Sequence, residues 1–230
     1  MRTLIIIPSY NEEKNIERVV DNLINNYPQY DYLVVNDGSK DKTADICRER
    51  GYNLLDLPIN LGLTCAVQAG MRYAVQNGYD AAIQFDGDGQ HRPEFIKDFI
   101  KCMEEKDADV VIGSRYVSEK KPHTLRMLGS DFISLLIKLS TGKKITDPTS
   151  GMRLFNNAVM KRFVYDINYG PEPDTISYLI KSGCKIEEIQ VAMDERIAGQ
   201  SYLNAFRSIK YMVIMSFSIV FIQRFRRRIK

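Results

Sequence analysis

Hydrophobic positions along the first two-thirds of the chain follow two alternating rhythms. Short unbroken apolar runs at Leu4 to Ile7, Tyr32 to Val35, Ala81 to Phe85 and Asp109 to Ile112 read as strands buried on both faces. Asn53 to Leu57 is a weaker strand of the same kind. Between them, Glu12 to Ile24 carries apolar residues at helical spacing (Ile16, Val19, Val20, Leu23, Ile24). Asp41 to Arg50 and Leu63 to Gln76 repeat that pattern, the latter closed by Gly78, and another helix opens at Pro93, a favoured first helical position. Strands alternating with helices predict an α/β fold whose mostly parallel central sheet is covered on both faces, in three layers. Beyond Arg115 the rhythm is less regular: a helix over Thr124 to Leu139, a polar turn over Asp147 to Arg153, a helix over Glu172 to Ser182 and a strand over Lys185 to Val191. No repeat or linker divides this body, so residues 1–200 are expected to form one domain.

The end of the chain is different. Tyr211 to Ile222 is an uncharged run of twelve residues followed by Arg224-Phe225-Arg226-Arg227-Arg228-Ile229-Lys230. Twelve helical residues span roughly 18 Å against a hydrocarbon core of about 30 Å, so the run is too short to cross a bilayer. Residues 201–230 therefore read as an amphiphilic helical tail. Three roles stay open: an interfacial helix with its arginines on an anionic membrane surface, a buried terminal helix, or a dock for a small membrane subunit.

Charge sharpens this division. The net charge of +3 conceals a body (residues 1–195) with 24 basic against 29 acidic residues and a remainder with eight basic residues and no acidic one. Such asymmetry signals a polyanionic surface met by the tail and argues against a nucleic-acid partner for the body. The balance of 44% hydrophobic and 27% charged residues excludes disordered and fibrous classes. Four cysteines without a C-x-x-C pair suit reduced, buried thiols, and Met1-Arg2-Thr3 runs straight into a strand with no leader expected, which places the body in the cytoplasm.

Candidate chemistry collects just after strands, where open α/β sheets bind ligands. Pro8-Ser9-Tyr10-Asn11-Glu12-Glu13 follows the first strand, with Pro8 expected to stop it, and Asn36-Asp37-Gly38-Ser39-Lys40-Asp41 follows the second. Asp86-Gly87-Asp88-Gly89-Gln90 brings two carboxylates and an amide to one strand end, oxygen donors suited to Mg²⁺ or Mn²⁺ with positions left open for phosphate oxygens. Gly113-Ser114-Arg115-Tyr116 adds an arginine nearby. A calcium loop is excluded, because His91 stands where its glycine belongs and Lys97 where its glutamate belongs. A nucleotidyltransferase is disfavoured by the lack of a Gly-rich, Lys-containing N-terminal loop.

Together the motifs P-x-Y-N-E, N-D-G-S-x-D-x-T, D-G-D-G-Q-H, G-S-R and D-P-T-S-G-M-R resemble those of inverting family 2 glycosyltransferases, and within them the polyprenyl-phosphate sugar transferases such as dolichyl-phosphate mannose synthase. The resemblance implies a GT-A (Rossmann-like) fold. It implies donor binding by Pro8, Tyr10, Glu12, Asp37 and Asp86, and metal ligation by Asp88 and Gln90. Arg115, Arg126 and Ser130, with Asp147 and Ser150, would face an acceptor phosphate, and Arg196 and Ser201 would close over the donor phosphates. Asp86, Asp88 and Arg115 are the residues expected at the chemistry. Two departures stand out: Tyr202 replaces the usual Lys after Ser201, and Leu63 stands where relatives often carry a basic residue. The implied reaction moves a hexose or N-acetylhexosamine from a nucleotide sugar, UDP-linked by expectation, to a polyprenyl (undecaprenyl) phosphate at the cytoplasmic membrane face, for cell-wall or surface glycan assembly. A phosphate acceptor is ionised at neutral pH and needs no strong base, in keeping with only two histidines. The rival within the family acts on a sugar hydroxyl of a growing polysaccharide, which requires a base; Asp147 and Asp174 are the candidates.

Overall fold

The computed structural model describes residues 1–122, 124–166, 170, 172–194 and 205–223, leaving aside the side chains of residues 125, 126 and 205–209. Seven strands form one sheet: β1 (Thr3–Ser9), β2 (Asp31–Asp37), β3 (Leu54–Leu57), β4 (Ala81–Gln84), β5 (Val110–Ser114), β6 (Arg153–Asn156) and β7 (Ile186–Gln190). Their order across the sheet is β3-β2-β1-β4-β6-β5-β7. All neighbouring pairs are parallel except those of β6, which runs against both β4 and β5.

Alternate residues of each central strand serve opposite layers, as the pleat demands. Leu4 and Ile6 of β1 face α3 (Leu63–Gln76), α5 (Leu125–Thr141), α6 (Asn157–Tyr165) and α7 (Pro173–Lys181). Ile5 and Ile7 face α1 (Ile16–Asn26), α2 (Thr43–Glu49) and α4 (Ile96–Lys106). The three-layer arrangement and the mostly parallel sheet expected from the sequence are both present.

Three differences from the sequence reading have physical causes. β1 continues through Pro8 because its pairing with β4 ends at Ile6↔Gln84, so one side of the strand is already free of the ladder there. Helix α1 starts at Ile16, not Glu12, because the Glu12 and Glu13 N–H groups are diverted to Thr43 Oγ1 (2.8 Å) and Asp41 Oδ2 (3.1 Å). The turn expected over Asp147 to Arg153 ends earlier, since Arg153 opens β6, and α6 follows directly, capped by Asn156 Oδ1 accepting from the Val159 N–H.

The described part of the tail is helical: α8 (Ala205–Phe217) passes into a π-helical turn, Ser218–Ile222. One face is docked. Met212 lies so close to Gly129 of α5 that any Cβ at Gly129 would collide with its sulfur. Ser218 Oγ donates to Asp174 Oδ2 at 2.6 Å and Gln223 Nε2 to the same oxygen at 3.2 Å, while the Tyr211 hydroxyl bonds Glu172. The other face is open, exposing Val213, Ile214, Phe217 and Phe221 beside Leu128, Phe132, Leu135 and Leu139 of α5. No helix among the described residues is long and apolar enough to cross a membrane.

Candidate active site

Parallel strands β1, β2, β4 and β5 end at one edge of the sheet, and the polar motifs lie there together. The first loop is anchored by the second: Asn11 N–H donates to Ser39 Oγ (2.9 Å) and Lys40 N–H to Asn11 Oδ1 (2.8 Å). Pro8 is buried within β1 and Tyr10 is exposed at the rim. Glu12 Oε2 accepts from Asn15 Nδ2 at 2.7 Å. Asp37, nearly wholly buried, takes the Leu61 and Gly62 N–H groups at 2.7 and 2.8 Å, so it clamps the loop that opens α3. Gly38, at φ +61°, lies flush against the Ile59–Asn60 backbone, where no larger residue fits.

The Asp86 to Gln90 loop is held from several sides. Asp86 receives Gln84 Nε2 on Oδ1 (3.3 Å), and its N–H donates to His91 Nδ1 (2.9 Å). His91 Nε2 stands 3.6 Å from Asp86 Oδ2, and the buried ring packs edge-on to Phe85. Gly151 backs onto the same carboxylate, a Cβ there reaching 3.0 Å from Oδ2. Asp88 is buried and its Oδ1 accepts the Gln90 N–H (3.0 Å). The Gln90 amide donates to the Asp194 carbonyl (3.3 Å), and the Asp194 N–H returns to the Gln90 carbonyl (2.9 Å), so Asp194 is fastened beside this loop. Arg196 and Ser201 lie outside the described residues.

These donors fit a hard divalent cation. Asp86, Asp88 and Gln90 offer oxygen atoms on a loop that Gly87 and Gly89 let turn tightly; a Cβ at Gly87 would meet Ser9 Oγ, and one at Gly89 would run into the Arg18 guanidinium. Among the described residues no group of three or more His, Cys, Asp or Glu side chains is gathered closely enough to hold a metal ion by itself.

The third cluster lies across β6. Arg115 grips Asp147 with Nε to Oδ2 at 2.8 Å and Nη2 to Oδ1 at 3.1 Å, and Asp147 is wholly buried. Burial works against the Arg115 charge, but the Asp147 bonds outweigh it and raise its pKa further. Ser150 Oγ is buried with no hydrogen-bond partner among the described residues, a polar atom in want of one. Ser130 is also buried and accepts from Lys121 Nζ (3.3 Å). The Arg126 side chain is not among those described.

Sequence reading passed over four contributors. Arg153 is wholly buried opposite Gln84 and Ile112, donates Nη2 to the Pro148 carbonyl (2.7 Å), and has its pKa lowered by burial against the pull of Glu172, Tyr211, Asp147 and Asp86. Its signal in the sequence was its place at the end of the D-P-T-S-G-M-R motif, which carried no role for it. His91 likewise ends the D-G-D-G-Q-H motif without an assigned role, while Arg18 and Lys121 sit beside expected residues and carry no pattern of their own.

A seven-stranded, mostly parallel sheet with an acidic D-x-D loop and an arginine at its strand ends defines a GT-A-like glycosyltransferase fold. Residues 4–164 match the model for "Glycosyl transferase family 2", and the chain belongs to that family of enzymes. It is 32% identical over 216 residues to the undecaprenyl-phosphate mannosyltransferase of Micrococcus luteus, covering 89% of this chain and 88% of the relative. It is 35% identical over 181 residues to the UDP-N-acetylglucosamine–dolichyl-phosphate N-acetylglucosaminyltransferase of Methanococcus voltae (68% and 70% covered). Glucosyl-3-phosphoglycerate synthase from Mycobacterium tuberculosis, crystallised with Mn²⁺, uridine diphosphate and phosphoglyceric acid, shares the fold at a TM-score of 0.69 and 16% identity, covering 94% of this chain and 78% of that one. A Pyrobaculum calidifontis mannosyltransferase complexed with GDP-mannose and Mn²⁺ does so at 0.64 and 17% (94% and 63% covered).

Proposed function

We propose that this chain is a metal-dependent inverting glycosyltransferase moving a hexose or N-acetylhexosamine from a nucleotide sugar, UDP-linked by preference, onto a polyprenyl phosphate at the cytoplasmic membrane face. The observation that carries the reading is Arg115, held two-pronged by a buried carboxylate and separated from the Asp86–Asp88 loop by the single strand β6. The names of the Micrococcus and Methanococcus relatives support the lipid acceptor.

In this scheme Tyr10, Glu12 and the Asp37-clamped loop receive the nucleoside, and Asp86 fixes the donor beside the diphosphate. Asp88 and Gln90 would hold Mg²⁺ or Mn²⁺, which when bound offsets the charge growing on the departing diphosphate. Arg115, Arg126, Ser130 and Ser150 orient the acceptor phosphate for attack on the anomeric carbon, a fork-to-oxyanion match that arginine suits best. One displacement inverts that carbon. No base is required of the protein.

The polysaccharide-directed alternative is disfavoured by how its bases are used. Asp147 is bound to Arg115, and buried Asp174 accepts from Ser218 and Gln223. Both act as structural acceptors. The exposed apolar stripes of α5 and α8, ahead of a basic terminus, support a tail (residues 201–230) that lies on an anionic bilayer beside the acceptor residues.

The test is to incubate membranes containing the protein with labelled nucleotide sugars, polyprenyl phosphate and Mn²⁺ or Mg²⁺. A charged, mild-acid-labile glycolipid formed only with metal is expected. Label found in polymer with none in lipid would sink the acceptor assignment.

A further inference from the structure

Lys121 belongs to none of the recognisable motifs, yet its side chain is only 14% exposed. Its ammonium lies 2.7 Å from Asp131 Oδ1 and donates to Ser130 Oγ at 3.3 Å. It also stands 5.5 Å from the centre of the Tyr116 ring, over which the Arg115 guanidinium stands at 5.2 Å. A cleft of about 220 Å³ opens beside it, its charged lining Glu119 and Asp131 against Lys121 and Lys144. Two cations thus share one aromatic platform at the mouth of a cleft.

The hydrogen-bond arithmetic at Ser130 is informative. Its hydroxyl accepts from Lys121, and no other hydrogen bond of that hydroxyl occurs among the described residues. A hydroxyl has one proton to give, and among the described residues no acceptor is seen to take it. The other partner, Asp131, is 56% exposed, so solvent screens its hold on the ammonium and leaves room for a dianion to compete for it. Lysine suits that exchange, being a point charge on a flexible stem.

We propose that Lys121 is a phosphate-binding residue of the acceptor site, which in the resting enzyme is parked on Asp131 and transfers to a phosphate monoester together with the Ser130 hydroxyl. The assignment rests on the acceptor reading given above. It adds a further cation to Arg115 and Arg126, on the side of the site facing α5.

Steady-state kinetics of the full chain tests it, with nucleotide sugar and Mn²⁺ and with detergent-dispersed polyprenyl phosphate or a short, water-soluble phosphate monoester as acceptor. Losing one charge-assisted bond predicts that Lys121→Met raises the acceptor KM roughly tenfold to a hundredfold. Donor KM and Mn²⁺ activation should stay within about twofold, the ratio at which this method resolves a lost contact of a few tenths of a kcal/mol. Lys121→Arg should recover most of the loss, and Asp131→Asn should not raise the acceptor KM. A rise with both acceptors supports phosphate recognition. A rise confined to the long-chain lipid, an equal rise in donor KM, or an unchanged acceptor KM in Lys121→Met overturns it. If the wild-type chain glycosylates neither acceptor, the acceptor reading itself falls; if it does and Lys121→Met matches it, only the lysine assignment falls.

Discussion

Arg115 and Asp147 meet through two parallel hydrogen bonds, and the carboxylate half of the pair has no contact with solvent. Asp147 in turn is oriented by Thr149 Oγ1, at 3.2 Å. Removing its charge leaves a mostly buried guanidinium without a counter-ion. Asp147→Asn is expected to destabilise the fold by about 3 kcal/mol and to lower acceptor-side kcat/KM on the order of tenfold to a hundredfold. Urea unfolding and acceptor titration measure the two; wild-type values in both would remove Arg115 from its assigned place.

Asp88→Asn should keep the fold while ending metal-dependent turnover. Mn²⁺ binding followed by calorimetry in the presence of nucleotide diphosphate is the direct readout. Retained turnover refutes the ligand role.

His91 supports Asp86 from behind through its two ring nitrogens. Losing that support should loosen the proposed donor contact, so His91→Phe is expected to raise the donor KM roughly tenfold with acceptor KM unchanged. An altered acceptor KM with a normal donor KM would contradict it.

Stability should fall in alkali. Burial pushes the Cys47 thiol from its ordinary 9.0 up to about 11, so the folded chain holds that proton where the unfolded chain has released it. The contribution is complete below pH 9 and is lost as pH climbs toward 11. Denaturant midpoints across that window should drop, and Cys47→Ala should flatten one proton's worth of the slope. An unchanged slope in Cys47→Ala would place the alkaline loss elsewhere.

The open apolar stripes give a separable prediction. Leu139→Glu with Phe217→Glu, both at exposed positions, should abolish co-sedimentation with vesicles of anionic phospholipid while sparing turnover of a water-soluble acceptor. Wild-type protein that ignores pure lipid vesicles would count against a bilayer as the occupant.

How far the sequence announced this molecule depends on where each residue's partners lie. Strand-end motifs such as Asp86 to Gln90 are contiguous, and their clustering follows from strand order alone. Helix α3 was legible to its bounds because its pattern is unbroken and Gly78 closes it. β6 was hidden, since four residues opening with a charge give no period, and its antiparallel insertion between β4 and β5 depends on pairings 41 to 75 positions away. Arg153 and Lys121 escaped notice for the same reason: their meaning comes from Asp86, Asp147, Glu172 and Ser130, which only the fold brings near.

That inserted strand also acts as a ruler. β4 delivers Asp86 and β5 delivers Arg115, and with β6 between them the two strands stand two ladder spacings apart, about 10 Å. Backbone hydrogen bonds set this gap, and side chains do not. In the proposed scheme the span between departing diphosphate and arriving phosphate is therefore fixed by the backbone ladder and not by the side chains that line the gap.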